Sequence, residues 1–143
     1  MNREMLQEDL VRDEGEVLHA YQDSEGFWTI GVGILIDARR GGGITREESR
    51  YLLGNRIARA EADLDRALPW WREMTERRQR ALANMCFNMG IGNTKKGLLS
   101  FKVTLGHLQA GRYEDAAREM LDSTWAKQVG ERAERLAEMI RVG

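Results

Sequence analysis

Two carboxylates and a hydroxyl near the N-terminus are the side chains best suited to chemistry. Glu14 and Asp23 lie nine positions apart, and Thr29 follows Asp23 by six positions. Hydrolysis of an acetal needs one carboxylic acid to protonate the leaving oxygen. It also needs a second carboxylate, which activates water or stabilises the positive charge developing on the sugar. These residue types therefore indicate cleavage of a glycosidic bond.

A helix is the element that must carry the first carboxylate. Apolar side chains at helical spacing among charged ones predict a helix over 3–12. Gly15 is the residue type that often follows a helix end, because it adopts the left-handed conformation without steric cost. We therefore expect Glu14 to close this helix.

A β-hairpin is the element that must carry the other two side chains. The pattern over 17–21 and the aromatic and β-branched run over 27–32 predict two antiparallel strands, and the residues between them are turn formers. We expect this hairpin to bring Asp23 and Thr29 together, beside the helix end that carries Glu14.

A purely structural explanation is open for both carboxylates. Glu14 would then be an exposed charge at a helix end, and Asp23 would only form the turn. Because the chain has 23 acidic residues, the pair by itself does not decide between the explanations.

A longer pattern of glycines, carboxylates and hydroxyls surrounds the pair. It reads Glu14-Gly15, then Tyr21-x-Asp23-x-Glu25-Gly26-x-x-Thr29-Ile30-Gly31-x-Gly33. This pattern resembles the signature of the phage-type lysozymes, glycoside hydrolase family 24, the endolysins that cut peptidoglycan. The resemblance covers nearly the whole chain, through Asn84-Met85-x-Phe87-x-Met89-Gly90, Trp125-x-x-Gln128 and Arg132-Ala133-x-Arg135.

The resemblance implies a role for each matching position. The family's acid matches Glu14, its second carboxylate matches Asp23, and its catalytic threonine matches Thr29, which would position the attacking water. It also implies that Leu35, Phe87 and Thr104 bind the substrate. Arg132 matches an arginine that pairs with the acid. No metal and no cofactor are expected.

One position departs from the family pattern. The family's Gly-x-Gly is usually followed by a histidine that can pair with an aspartate on the long helix, whereas this chain has Ile34 and, at the matching helix position, Arg56. Because both halves of that ion pair are missing, we expect apolar packing of Ile34 to replace a structural contact.

The expected fold class is α+β, mostly α, with the two lobes of a lysozyme-like fold in a single domain over 1–143. The N-terminal lobe covers about 1–68, and it includes the hairpin and a connecting helix over 45–68. The C-terminal helical lobe covers about 69–143, and the substrate cleft is expected between the lobes. Helix signals in the second lobe predict a helix capped near Thr75, followed by helices over 101–109, 113–121 and 131–142.

The expected function is that of a muramidase acting as a phage endolysin in host cell lysis. It would hydrolyse the β-1,4 bond between N-acetylmuramic acid and N-acetylglucosamine in peptidoglycan glycan strands. Two alternatives stay open, namely a catalytically silent peptidoglycan-binding module with the same fold, and a transglycosylase, which leaves an anhydro end on the sugar.

Composition narrows the partners and the location. A net charge of −1 and the absence of a DNA-reading motif argue against nucleic acid, so the basic run over 77–80 is interpreted as a solvated helix face. No apolar run approaches 18 residues, so neither a signal peptide nor membrane insertion is expected. The resemblance then implies a monomer that waits in the host cytoplasm until a holin-type membrane protein releases it to the periplasm and cell wall. The single cysteine, Cys86, is interpreted as a buried structural thiol.

Overall fold

The computed structural model describes the backbone of residues 1–143 and every side chain other than that of Arg40. The chain divides into two compact units, Met1–Tyr51 and Leu52–Gly143. A small antiparallel sheet lies in the first unit, and helices dominate the chain. The α+β, mostly α, lysozyme-like fold class is therefore confirmed.

The first helix, α1, runs over Arg3–Glu14. Gly15 follows it with φ of +75°, and its N–H donates to the carbonyl of Val11, as expected for a glycine after a helix end. Glu14 is therefore the last residue of the helix, as predicted. The apolar side chains of α1 are 39–61% exposed, so this helix buries none of its residues.

The sheet comprises β1 (Val17–Gln22), β2 (Trp28–Gly31) and β3 (Ile34–Leu35), antiparallel and in that order. The predicted hairpin of β1 and β2 is confirmed, with Thr29 opposite Tyr21. The sequence did not predict β3, because a strand of two residues is too short to show alternation.

The long helix α2 runs over Arg46–Ala67. Thr45 caps it reciprocally with Glu48: the Glu48 N–H donates to Thr45 Oγ1 at 3.1 Å, and the Thr45 N–H donates to Glu48 Oε2 at 2.7 Å. Pro69, a residue type that cannot continue a helix, lies just after its end. The boundary between the compact units falls within this helix.

The C-terminal unit is built from helices around an apolar core. They are α3 (Glu76–Met89), α4 (Lys102–Gln109), α5 (Tyr113–Asp122), α6 (Thr124–Val129) and α7 (Glu131–Val142). The sequence did not predict α6, which is six residues long and lies between two stronger helix signals. Thr75 accepts a hydrogen bond from the Arg78 N–H and so caps α3 as predicted.

Large apolar side chains fill the core of this unit. The largest that are fully buried are Trp71, Leu64, Leu82, Met85, Leu98, Leu108, Met120 and Ile140. Cys86 is 3% exposed and its thiol lies 3.9 Å from the Ala60 carbonyl oxygen, which confirms the structural interpretation. Burial raises the pKa of the Cys86 thiol. In the described part of the chain, no helix has the length and apolarity that crossing a membrane requires.

Arg78 is the exception in the basic run, since Arg77 and Arg80 are exposed as a solvated face requires. Its Nε donates to the carbonyl oxygen of Ile140 at 2.8 Å, and its guanidinium carbon lies 3.5 Å from the centroid of the Tyr113 ring. A guanidinium can satisfy carbonyls at a helix C-terminus and stack on an aromatic face at the same time. Arg78 therefore ties α3 to the end of α7.

Candidate active site

Glu14 lies where α1 meets the turn between β2 and β3. A Cβ atom built on Gly33 would lie 3.6 Å from Glu14 Oε2, so this carboxylate faces the backbone of the turn. Gly33 has φ of +67°, a conformation that favours glycine. The Glu14 side chain is exposed, as a carboxylate that must reach a ligand has to be.

Asp23 lies at the opposite end of the hairpin, in the turn between β1 and β2. Its Oδ1 accepts hydrogen bonds from the N–H groups of Glu25 at 2.9 Å and Phe27 at 2.8 Å. The Asp23 N–H donates to the Phe27 carbonyl at 2.9 Å. Asp23 therefore does form the turn, and the same bonds fix the orientation of its carboxylate.

Thr29 lies on β2, between two neighbouring strands, and is 4% exposed. Its hydroxyl donates to the Phe27 carbonyl at 3.2 Å, the same carbonyl that receives the Asp23 N–H. The structure thus brings Asp23 and Thr29 together at the peptide groups of Phe27. This agrees with the expected pairing of Asp23 with Thr29, whereas Glu14 lies towards the other end of β2, at Gly33, and not beside Asp23 as expected.

An ion pair between a buried carboxylate and an exposed arginine, which sequence reasoning missed, lies beside these residues. Asp37 is 6% exposed and accepts from the Arg39 guanidinium twice, at 2.9 Å from Nε and at 2.8 Å from Nη2. The Arg39 guanidinium, aided by backbone N–H groups of Arg39 and Trp28, holds the pKa of Asp37 well below its usual range. The sequence signal was present, since an aspartate commonly accepts from the N–H two residues on, as Asp37 does.

A metal ion would need several donor side chains close together. Among the described residues, no group of three or more histidine, cysteine, aspartate or glutamate side chains lies close enough to hold a metal ion.

Comparison with known proteins assigns the fold to a family. Residues 11–140 match the family model described as Phage lysozyme. The chain belongs to the phage lysozyme family. The resemblance read from the sequence is therefore confirmed.

Relatives of different kinds share this domain. The chain is 32% identical over 163 residues to the pre-baseplate central spike protein Gp5 of Enterobacteria phage T4, a match that covers 96% of this chain and 28% of that protein. It is 29% identical over 160 residues to the probable T4-type lysozyme 1 of Dictyostelium discoideum, covering 94% of this chain and 92% of that protein. It is 31% identical over 123 residues to an endolysin of Acyrthosiphon pisum secondary endosymbiont phage 1, covering 86% and 80%.

Two of the residues that the lysozyme resemblance implies line one cavity in the C-terminal unit. Phe87 and Arg132 border a cavity of about 380 Å³, together with Asn84. Arg132 donates to Asn84 Oδ1 from Nε at 2.9 Å and from Nη2 at 2.6 Å, which fixes its guanidinium. The pairing of Arg132 with Glu14 stays a prediction.

The other two implied substrate-binding residues lie elsewhere. Thr104 is 3% exposed and borders a second cavity of about 540 Å³, which Glu119 and Trp125 also line. Leu35 lies on β3 opposite Thr29. Their roles in substrate binding remain predictions.

Ile34 does not pack as the sequence led us to expect. Its side chain is 46% exposed, so the expectation that apolar packing replaces the family's ion pair is wrong. The reason is its place on the short strand β3, where successive side chains point to opposite faces. Leu35 is the more buried of the two residues.

Proposed function

We propose that the protein is a muramidase that hydrolyses the β-1,4 bond between N-acetylmuramic acid and N-acetylglucosamine in peptidoglycan. One observation carries the proposal. In a chain of the phage lysozyme family, Asp23 and Thr29 converge on Phe27 at one end of β2, while Glu14 faces Gly33 beyond the other end. An acid and a second carboxylate are therefore set along one short strand, with a hydroxyl between them.

Glu14 is the proposed general acid. Its side chain is exposed at the end of α1, so it can reach the oxygen of a glycosidic bond and donate its proton as that bond breaks. The backbone of the turn at Gly33 limits its position on one side without a competing side chain.

Asp23 is the proposed second carboxylate, which orients water or stabilises the oxocarbenium-like transition state. Two N–H groups hold its Oδ1, so its orientation is set before substrate arrives. The Thr29 hydroxyl donates its hydrogen bond to the Phe27 carbonyl oxygen. A water positioned by Thr29 would therefore donate to the lone pairs of Oγ1.

The biological setting that we propose is lysis of a bacterial host. The match to an endolysin supports a role in lysis. In this proposal a holin-type membrane protein opens the way from the cytoplasm to the wall. The match to a central spike protein favours a second setting, in which the same chemistry belongs to a phage particle. Immunoblots of purified particles and of infected-cell extract would distinguish the two settings.

Digestion of purified sacculi tests the reaction directly. We expect new reducing ends, and fragments whose masses include one added water. Glu14→Gln removes the proton donor with little change of shape, so it should abolish this release while the circular dichroism spectrum is retained. Anhydro-ended fragments would identify a transglycosylase. Cosedimentation of the wild-type protein with sacculi, without cleavage, would identify a silent binding module.

A further inference from the structure

The buried carboxylate of Asp37 is attached to the strand that carries Thr29. Asp37 Oδ2 accepts from the Trp28 N–H at 3.4 Å, and Oδ1 accepts from the Arg39 N–H at 3.0 Å. The Arg39 guanidinium donates two further hydrogen bonds to this carboxylate. A buried carboxylate that is paired and hydrogen-bonded in this way holds its surroundings in one arrangement.

Arg39 extends the attachment to the turn. Its guanidinium carbon lies 5.1 Å from the centroid of the Phe27 ring, and its Nη2 lies 3.5 Å from the carbonyl oxygen of Gly26. The ring contact is within the range of a cation–π interaction. Asp37 and Arg39 together therefore contact three consecutive residues, Gly26 to Trp28.

The middle residue of these three, Phe27, holds both proposed catalytic side chains. The Phe27 N–H donates to the carboxylate of Asp23, and the Phe27 carbonyl receives the hydroxyl of Thr29. Any displacement of this segment would carry Asp23 and Thr29 with it.

We propose that Asp37 and Arg39 are positioning residues for Asp23 and Thr29. They act by fixing Gly26, Phe27 and Trp28, and they do not touch the substrate. This inference rests on the proposed function, because it concerns the same site. A carboxylate shifted by a fraction of an ångström supports the reaction less well, although the substrate binds as before.

The chain offers a matched control for a purely structural effect. In the C-terminal unit, Arg72 donates to Asp65 from Nε at 2.8 Å and from Nη2 at 3.0 Å, and its guanidinium carbon lies 4.2 Å from the centroid of the Trp71 ring. This pair makes the same hydrogen bonds and ring contact as that of Asp37 and Arg39, but the Asp65 side chain is 48% exposed whereas that of Asp37 is 5% exposed. The residues that it contacts do not include any of the proposed catalytic groups.

The experiment compares Arg39→Gln with Arg72→Gln. Both substitutions remove a two-pronged ion pair and a cation–π contact. Steady-state hydrolysis of soluble peptidoglycan fragments is measured well below the melting temperature of each variant. We expect kcat of Arg39→Gln to fall about 10-fold with little change in KM, because positioning rather than binding is lost. Arg39→Lys should recover part of kcat, and Arg72→Gln should retain the wild-type kcat.

A spectroscopic measurement tests the positioning without activity. The amide protons of Glu25 and Phe27 report their bonds to the Asp23 carboxylate, so in Arg39→Gln their NMR resonances should move towards those of Asp23→Asn. The inference is overturned if Arg39→Gln keeps the wild-type kcat and leaves these two resonances unchanged. If the wild-type protein releases no reducing ends, the proposed function fails, and the two amide resonances still decide whether Arg39 positions Asp23.

Discussion

Gly42 lies too close to neighbouring backbone to carry a side chain. A Cβ atom at this position would lie 2.7 Å from the carbonyl oxygen of Asp37 and 2.8 Å from that of Leu35. The same two carbonyls accept hydrogen bonds at 3.0 Å from the N–H groups of Gly42 and Gly43. In Gly42→Ala the backbone must move apart, and both bonds are lost or lengthened. At about 0.5–1.5 kcal/mol for each bond, the free energy of unfolding should fall by about 1–3 kcal/mol.

Alanine at Gly106 should raise the free energy of unfolding, whereas alanine at Gly42 should lower it. Gly106 lies inside α4, and a Cβ atom there would meet nothing within 4 Å. Alanine restricts the unfolded chain and favours the helix, so Gly106→Ala should raise the free energy of unfolding by about 0.5–1 kcal/mol.

Urea denaturation followed by circular dichroism measures both variants. Hydrogen exchange of the amides over 17–43 accompanies it, because two compact units need not unfold in one step. The loss of protection in Gly42→Ala should be concentrated in that segment. A wild-type urea midpoint with unchanged exchange in Gly42→Ala would show that the close approach at this glycine does not constrain the fold.

Two further predictions concern charge and capping. Since the pKa of Asp37 is lowered in the folded state, its ionised form stabilises the fold above the unfolded-state pKa of about 3.9, and this contribution is lost progressively as the pH falls below that value. The difference in stability between the wild type and Asp37→Asn should thus be constant near neutral pH and shrink in acid. Urea titrations from pH 7 down to pH 3 measure it, and a difference that grows in acid would contradict the assignment. Thr45→Ala removes the reciprocal cap of α2 and should cost about 1 kcal/mol, whereas Thr45→Ser should retain most of the stability in the same urea assay.

Local signals allowed much of the fold to be predicted. Gly15 after α1 and Thr75 at the start of α3 each act through a few neighbouring residues, and the structure shows both acting as expected. In contrast, β3 and α6 are short, and their existence depends on the elements they pack against rather than on a pattern of their own.

The residues of the candidate site could be predicted from the sequence, but the hydrogen bonds that join them could not. The types and spacing of Glu14, Asp23 and Thr29 identified them as candidates. That Asp23 and Thr29 share the peptide groups of Phe27 follows from the turn geometry, which residue types do not specify. Asp37 was missed because burial of a carboxylate depends on its tertiary neighbours, and in the sequence it is one of many acidic residues.

Epistasis between Asp23 and Thr29 is a consequence of their common attachment at Phe27. When either side chain is replaced, the peptide groups that hold the other lose one of their restraints. The losses in the single variants therefore overlap, and the double variant should lose less than their sum. Proline is excluded at position 27 because it has no N–H to donate to the carboxylate.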